Sequence, residues 1–217
     1  MVIDTSSAIC SECTIWYMGK ANPKQRLLEA VVDYALAHGI ADQSLRAIAR
    51  AAGTSHRMLI HHFGSREHLL IEVIKAAEVR QRQRLAALQA QPEATSEQIG
   101  LQLWEHLRDP AMHSQERLFF EVYGQALQGR DWALPVLEGI VKDWIGPIQR
   151  LDPMGVDPAT AEIDARLGLA VTRGLLLDLL ATGEGIAVDA AMRRFVQLRT
   201  AFADASRSAP QPRKGTD

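Results

Sequence analysis

Between Ser44 and Arg66 the chain reads SLRAIARAAGTSHRMLIHHFGSR, and three serines there are each trailed by an arginine. Ser44, Ser55 and Ser65 stand where helix N-caps are expected, each ahead of a run with helical apolar spacing. Arg46, Arg57 and Arg66 follow within two residues, which puts a cation in the first turn of three successive helices. The helix macrodipole disfavours positive charge there by roughly 0.3–1 kcal/mol apiece. One such placement is noise. Three in a row suggest that something anionic lies across these helix ends, and a polyphosphate backbone fits. The competing reading is that the arginines are merely solvated and tolerated.

The elements that must position these groups follow from the spacing. Residues 44–52 make a short helix with Leu45, Ile48, Ala49 and Ala52 on one side. Gly53 is the residue best able to take a positive φ at its end. Ser55 then opens a second short helix whose inward face is Leu59 and Phe63, four apart. Two short helices joined by a tight turn read as a helix-turn-helix, the second helix being the groove reader. Its outward face carries His56, Arg57, Ile60 and His61.

Residues 27–74, LLEAVVDYALAHGIADQSLRAIARAAGTSHRMLIHHFGSREHLLIEVI, resemble the DNA-binding domain of the TetR family of bacterial transcriptional regulators. The most specific parts are SLRAIARAAGTS and HHFGSREHLL. The resemblance implies a ligand-responsive regulator, most often a repressor, that binds a double-stranded palindromic operator as a homodimer. The expected DNA contacts are Ser44, Arg46, Ser55, His56, Arg57, Ile60, His61 and Arg66. Arg46 and Arg57 are placed to reach guanine edges, the serines and Arg66 to hold phosphates. One position departs from the family, which often has tyrosine where this chain has Ile60. Isoleucine has no hydroxyl for the backbone, although it can pack on a thymine methyl group. The alternative reading is a helical dimeric interaction module that has lost specific DNA binding.

Composition agrees with a soluble globule: 47% of the 217 residues are hydrophobic and 23% charged. Between Lys20 and Arg66 seven basic residues face three acids, a balance of +4 in a chain whose net charge is −2, so the rest carries −6. A basic head on an acidic body suits contact with an anion at one end only. No apolar run is long enough to span a membrane and no secretory signal is evident, so the cytoplasm is the expected compartment. Enzyme chemistry is not expected, because no nucleophile elbow, phosphate-cradling glycine loop or HExxH spacing is present. His61 and His62 are adjacent, hence about 100° apart on a helix, and cannot readily share a metal ion. Cys10 and Cys13 form one CxxC without a second pair and read as reduced thiols in an N-terminal arm. No cofactor is implied.

The expected fold is all-α. An N-terminal extension covers 1–21, a helix-turn-helix domain 22–66, a ligand-binding and dimerisation body 67–205 and a disordered tail 206–217. Asn22 and Pro23 start a bracing helix that ends before Gly39, and a long helix runs from Ser65 to near Ala90. Further helices are predicted over 96–108, 113–129, 132–151, 158–182 and 188–204. The large side chains between 104 and 144 single out Trp104, Phe120, Tyr123 and Trp144 as candidates to line a ligand cavity, against ordinary core packing. The run 163–181 is apolar on more than one side, and Ala190, Ala191, Phe195, Leu198 and Phe202 form a second stripe. Paired with their symmetry mates, these two helices make a four-helix dimer interface, as the resemblance also implies.

Overall fold

The structure, a computed structural model, describes residues 22–40, 42–151 and 157–208, with side chains to residue 202. The expected extension with its Cys10–Cys13 pair and the tail beyond 208 lie outside the described residues. Among these residues are nine α-helices and no strand. They are α1 (Pro23–His38), α2 (Leu45–Ala51), α3 (His56–Phe63), α4 (Arg66–Gln89), α5 (Ser96–Leu107), α6 (His113–Leu127), α7 (Lys142–Gln149), α8 (Pro158–Thr182) and α9 (Gly185–Ser208).

The caps expected in the head are all formed. Backbone N–H groups of Ala47, Met58 and His68 donate to the Oγ atoms of Ser44, Ser55 and Ser65 at 3.3, 3.2 and 3.1 Å. Asn22 caps α1, accepting from the Lys24 N–H at 3.0 Å. Each cap satisfies a donor that the helix leaves orphaned. Between α2 and α3 the chain reverses at Gly53, whose φ of +66° is strained for any residue with a Cβ. A Cβ there would meet nothing within 4 Å, so backbone conformation alone calls for glycine.

One core joins the head to the elements beneath it. Val31, Ile48, Leu59 and Leu69 pack with Leu118 and Val122 of α6 and with Val136 and Ile140 of the segment before α7. A second core gathers Leu85 and Leu88 of α4 with Trp144 and Ile148 of α7 and Leu169 of α8. A third sets Trp104 and Leu107 of α5 against Leu176 and Leu179 of α8 and Val188, Met192 and Val196 of α9. The 24-residue α4, about 36 Å long at 1.5 Å per residue, enters the first core near its start and the second near its end.

Two boundaries differ from the sequence expectation. In place of a helix over 132–151 there is a 3-10 turn at Leu134–Val136, then turns, and a helix only from Lys142. Pro135 sits within that 3-10 turn and Gly139 takes a φ of +77°, and together they break the run. The last helix starts at Gly185, three residues before the expected Val188, and continues to Ser208, past the expected end near Asp204.

Candidate nucleic-acid interface and interior cavity

The start of the second short helix is an exposed, donor-rich surface. Leu59 and Phe63 are buried beneath α3, while Ser55, His56, Arg57, Ile60 and His61 are exposed. Ser44 and Arg46 at the start of α2 are exposed too. A capping serine accepts through its oxygen, which leaves its hydroxyl hydrogen to donate, so Ser44 and Ser55 can each cap a helix and hold a phosphate. Arg66 is placed differently. It is half-buried, and its Nε donates to the Gln43 carbonyl oxygen at 3.0 Å, tying the start of α4 to the residue before the Ser44 cap. Met58 is also exposed on α3, a large side chain among the polar ones that the sequence reading passed over.

Deeper, halfway along α4, a cavity of about 50 Å³ is lined by α4, α5, α6, α7 and α8. Its walls are mostly apolar, with Leu103, Leu107, Phe119, Ile148, Leu169 and Leu176 contributing. Into them are set Glu78, Gln81, Glu116, Trp144 and Arg173. The Trp144 indole N–H donates to Glu78 Oε2 at 2.5 Å, and Arg173 Nη2 lies 3.7 Å from the same oxygen. Arg173 Nη2 also donates to the Ile140 carbonyl at 2.6 Å, and its guanidinium stands 5.2 Å from the Phe119 ring centroid. Glu116 accepts from the Gln81 and Gln115 side-chain amides, both at 3.3 Å. Burial, reinforced by the neighbouring Glu78 charge, pushes the Glu116 carboxyl up to about 7. Burial likewise raises Glu78, against the Trp144 hydrogen bond and the Arg173 and Arg82 charges. On the far side of Glu78 and Phe119 a wider groove of about 500 Å³ opens between α4 and residues 136–143. Arg82 stands there, 5.9 Å from the Trp144 ring centroid and within 4 Å of both Glu78 and Asp143.

Residues 27–73 match the family model of bacterial regulatory proteins of the tetR family. Solved structures share the architecture over most of the chain. A transcriptional regulator from Rhodococcus sp. Rha1 superposes with a TM-score of 0.66 at 18% identity, covering 87% of this chain and 100% of that one. The fatty acid degradation regulator FadR from Bacillus halodurans gives 0.56 at 16%, covering 82% and 95%. The multidrug binding protein EbrR, complexed with imidazole, gives 0.54 at 23%, covering 80% and 90%. Residues 27–73 thus match the tetR-family model, and the fold as a whole is shared with solved transcriptional regulators. Among curated proteins, sequence comparison finds no match.

In this tetR-like head the expected DNA contacts occupy the first turns of α2 and α3 and the outer face of α3, with Arg66 drawn inward as a brace. The four aromatic candidates are not brought together. Trp144 lines the cavity, whereas Trp104 lies in the third core with its indole N–H donating to Asp189 Oδ1 at 2.9 Å. Phe120 meets Phe119 edge to face and Tyr123 meets it tilted, with ring-centroid distances of 5.2 and 5.7 Å, and neither is among the cavity walls. The polar residues of the cavity were missed. The available signals were Arg173 as the one charge between Leu167 and Leu177 and Glu78 with Gln81 one turn apart on α4. No helix among the described residues is long and apolar enough to cross a membrane, and none of their His, Cys, Asp or Glu side chains group in threes as metal ligands would.

Proposed function

We propose that this protein is an effector-responsive transcriptional repressor that binds a palindromic operator as a homodimer in the cytoplasm. The observation that carries this reading is the exposed outer face of α3, with Arg57 and His61 standing clear of the buried Leu59 and Phe63. That face has the shape and donors of a major-groove reader, and Ser44 and Arg46 flank it as backbone and base contacts. A small-molecule effector is supported by the cavity on α4, the helix whose first turn touches the reader. The similar folds of a fatty acid degradation regulator and a multidrug binding protein support it as well. A ligand that spreads α4 from its neighbours tilts the helix and moves the head. A few degrees over about 36 Å displace the head by a few ångströms, enough to spoil two simultaneous groove contacts.

The test is selection of a preferred duplex from a random DNA library, followed by titration at low salt. A palindrome with half-sites about one helical turn apart is the expected product. No binding to any duplex would favour the interaction-module reading, whereas Ile60 in place of the tyrosine often found in the family bears only on the strength of binding.

Two substitutions separate reading from bracing. Arg57→Ala is expected to weaken the selected site by about 1–3 kcal/mol and to relax preference at one base pair per half-site. Arg66→Ala removes the Nε bond to Gln43, so it should weaken every sequence alike and also lower the melting temperature. Equal, sequence-independent losses with unchanged melting in both variants would refute the division.

A further inference from the structure

Gln81 is 4% exposed, its Nε2 donates to Glu116, and its Oε1 has no hydrogen-bond partner although it lies buried at the cavity wall. A buried acceptor left in this way is uncommon and marks a place where a donor belongs. Glu116 beside it is 7% exposed and has no cation within 4 Å among the described residues. The one guanidinium in the cavity wall is already committed to Ile140, Glu78 and the Phe119 ring, so it has little left to offer an anion. With Glu116 ionised, the cavity therefore has acceptors to spare and few donors.

We infer that the cavity receives the ammonium-type head of an apolar, singly protonated amine, which donates to Gln81 Oε1 and pairs with Glu116. This rests on the cavity being the effector site. The volume of about 50 Å³ suits a head group of one or two heavy atoms and not a whole effector, a water's share of the liquid being about 30 Å³. The tail lies along Leu103, Leu107 and Ile148 and enlarges the space by parting α4 from α7. A carboxylate head would face Glu78, Glu116 and an unpartnered amide oxygen, three acceptors it cannot satisfy.

The charged groups facing Glu116 are Glu78 on α4 and Arg173 on α8, besides the uncharged Gln81 and Gln115. With its carboxyl at about 7, Glu116 must give up its proton to pair with the ammonium, so affinity should follow its ionisation.

Hexylammonium, hexanoate and hexan-1-ol, three heads on one tail, are titrated by calorimetry into the full-length protein. At pH 8 hexylammonium is expected to bind at least tenfold more tightly than either of the others. Its affinity should fall about tenfold between pH 8 and pH 6, in step with the ionised fraction of Glu116. Gln81→Leu should weaken it several-fold, and Glu116→Gln should weaken it at least tenfold and flatten the pH profile. Thermal melts first establish that both variants fold, and the Gln81 variant carries the test alone if the other does not. Tighter binding of hexanoate or hexan-1-ol overturns the amine head while leaving the cavity as effector site. An amine affinity that ignores both substitutions also overturns it. Failure of all three probes to bind overturns the effector-site reading too and leaves a cavity filled by water.

Discussion

Glu116→Gln is expected to stabilise the protein by on the order of 3 kcal/mol at pH 8 and to leave it nearly unchanged at pH 4. The carboxyl is raised from an ordinary 4.5 to about 7, so the folded chain holds its proton across a range in which the unfolded chain has released it. Stability that depends on this proton is complete below about 4.5 and is lost as pH rises through about 7. Above that, the wild type carries a buried carboxylate that feels another acid, Glu78, more strongly than it feels Arg173. Glutamine keeps an oxygen to accept from the Gln81 and Gln115 amides but brings no charge. For a chain of this length, with roughly 2–4 °C per kcal/mol, the variant should melt about 10 °C above wild type at pH 8. Melting curves of both proteins at matched concentration and several pH values read the difference directly. A gap independent of pH would mean that Glu116 ionises like a surface carboxylate. Glu116→Ala is the contrast, since it strands the Gln81 amide and should destabilise at pH 4, where there is no buried charge to relieve.

The same buried group shows where sequence reasoning stops. Caps were legible because Ser44, Ser55 and Ser65 act on N–H groups only three residues ahead, and the bounds of α8 were legible from Pro158 and Gly183. The inward face of α3 followed from Leu59 and Phe63 alone. The cavity is a different kind of object. Glu78, Gln81, Glu116 and Arg173 come from three helices, and helical periodicity assigns polar residues to the outside, so each in isolation reads as solvated. Aromatic size led elsewhere. Trp104 is buried in the third core, and its N–H is met by Asp189. The turn-rich stretch before α7 was lost for another reason, because Pro135 and Gly139 outweigh the apolar spacing around them.

The largest loss of function is expected from Leu167→Glu combined with Leu177→Glu. Ile163, Leu167, Ala170, Gly174, Leu177 and Ala181 recur along α8 at alternating steps of four and three, and all six are exposed. This is the spacing a helix needs to pack on another helix, and the small Ala170 and Gly174 at its middle would permit close approach. Ala187, Ala191, Leu198 and Phe202 continue the exposed apolar surface along α9, with Phe202 71% exposed. The opposite side of α8 is already spent, since Ala165, Leu169, Leu176 and Leu179 face the chain's own cores. Leu179, which the apolar run alone nominates as readily as Leu177, is therefore the wrong probe, because a charge there would break the third core. Leu167 and Leu177 are 51% and 52% exposed, so glutamate at either costs the monomer little. In a two-fold interface each substitution counts twice, and the pair places four carboxylates in an apolar contact. At a loss of about 1 kcal/mol or more apiece, the dimer dissociation constant should rise at least about a thousandfold. Sedimentation should find monomers with an undiminished helical signal, and operator affinity should collapse because one head alone engages one half-site. Dimers that survive both charges would move the interface off this face, and monomers that still hold the palindrome at full affinity would break the link between dimerisation and recognition.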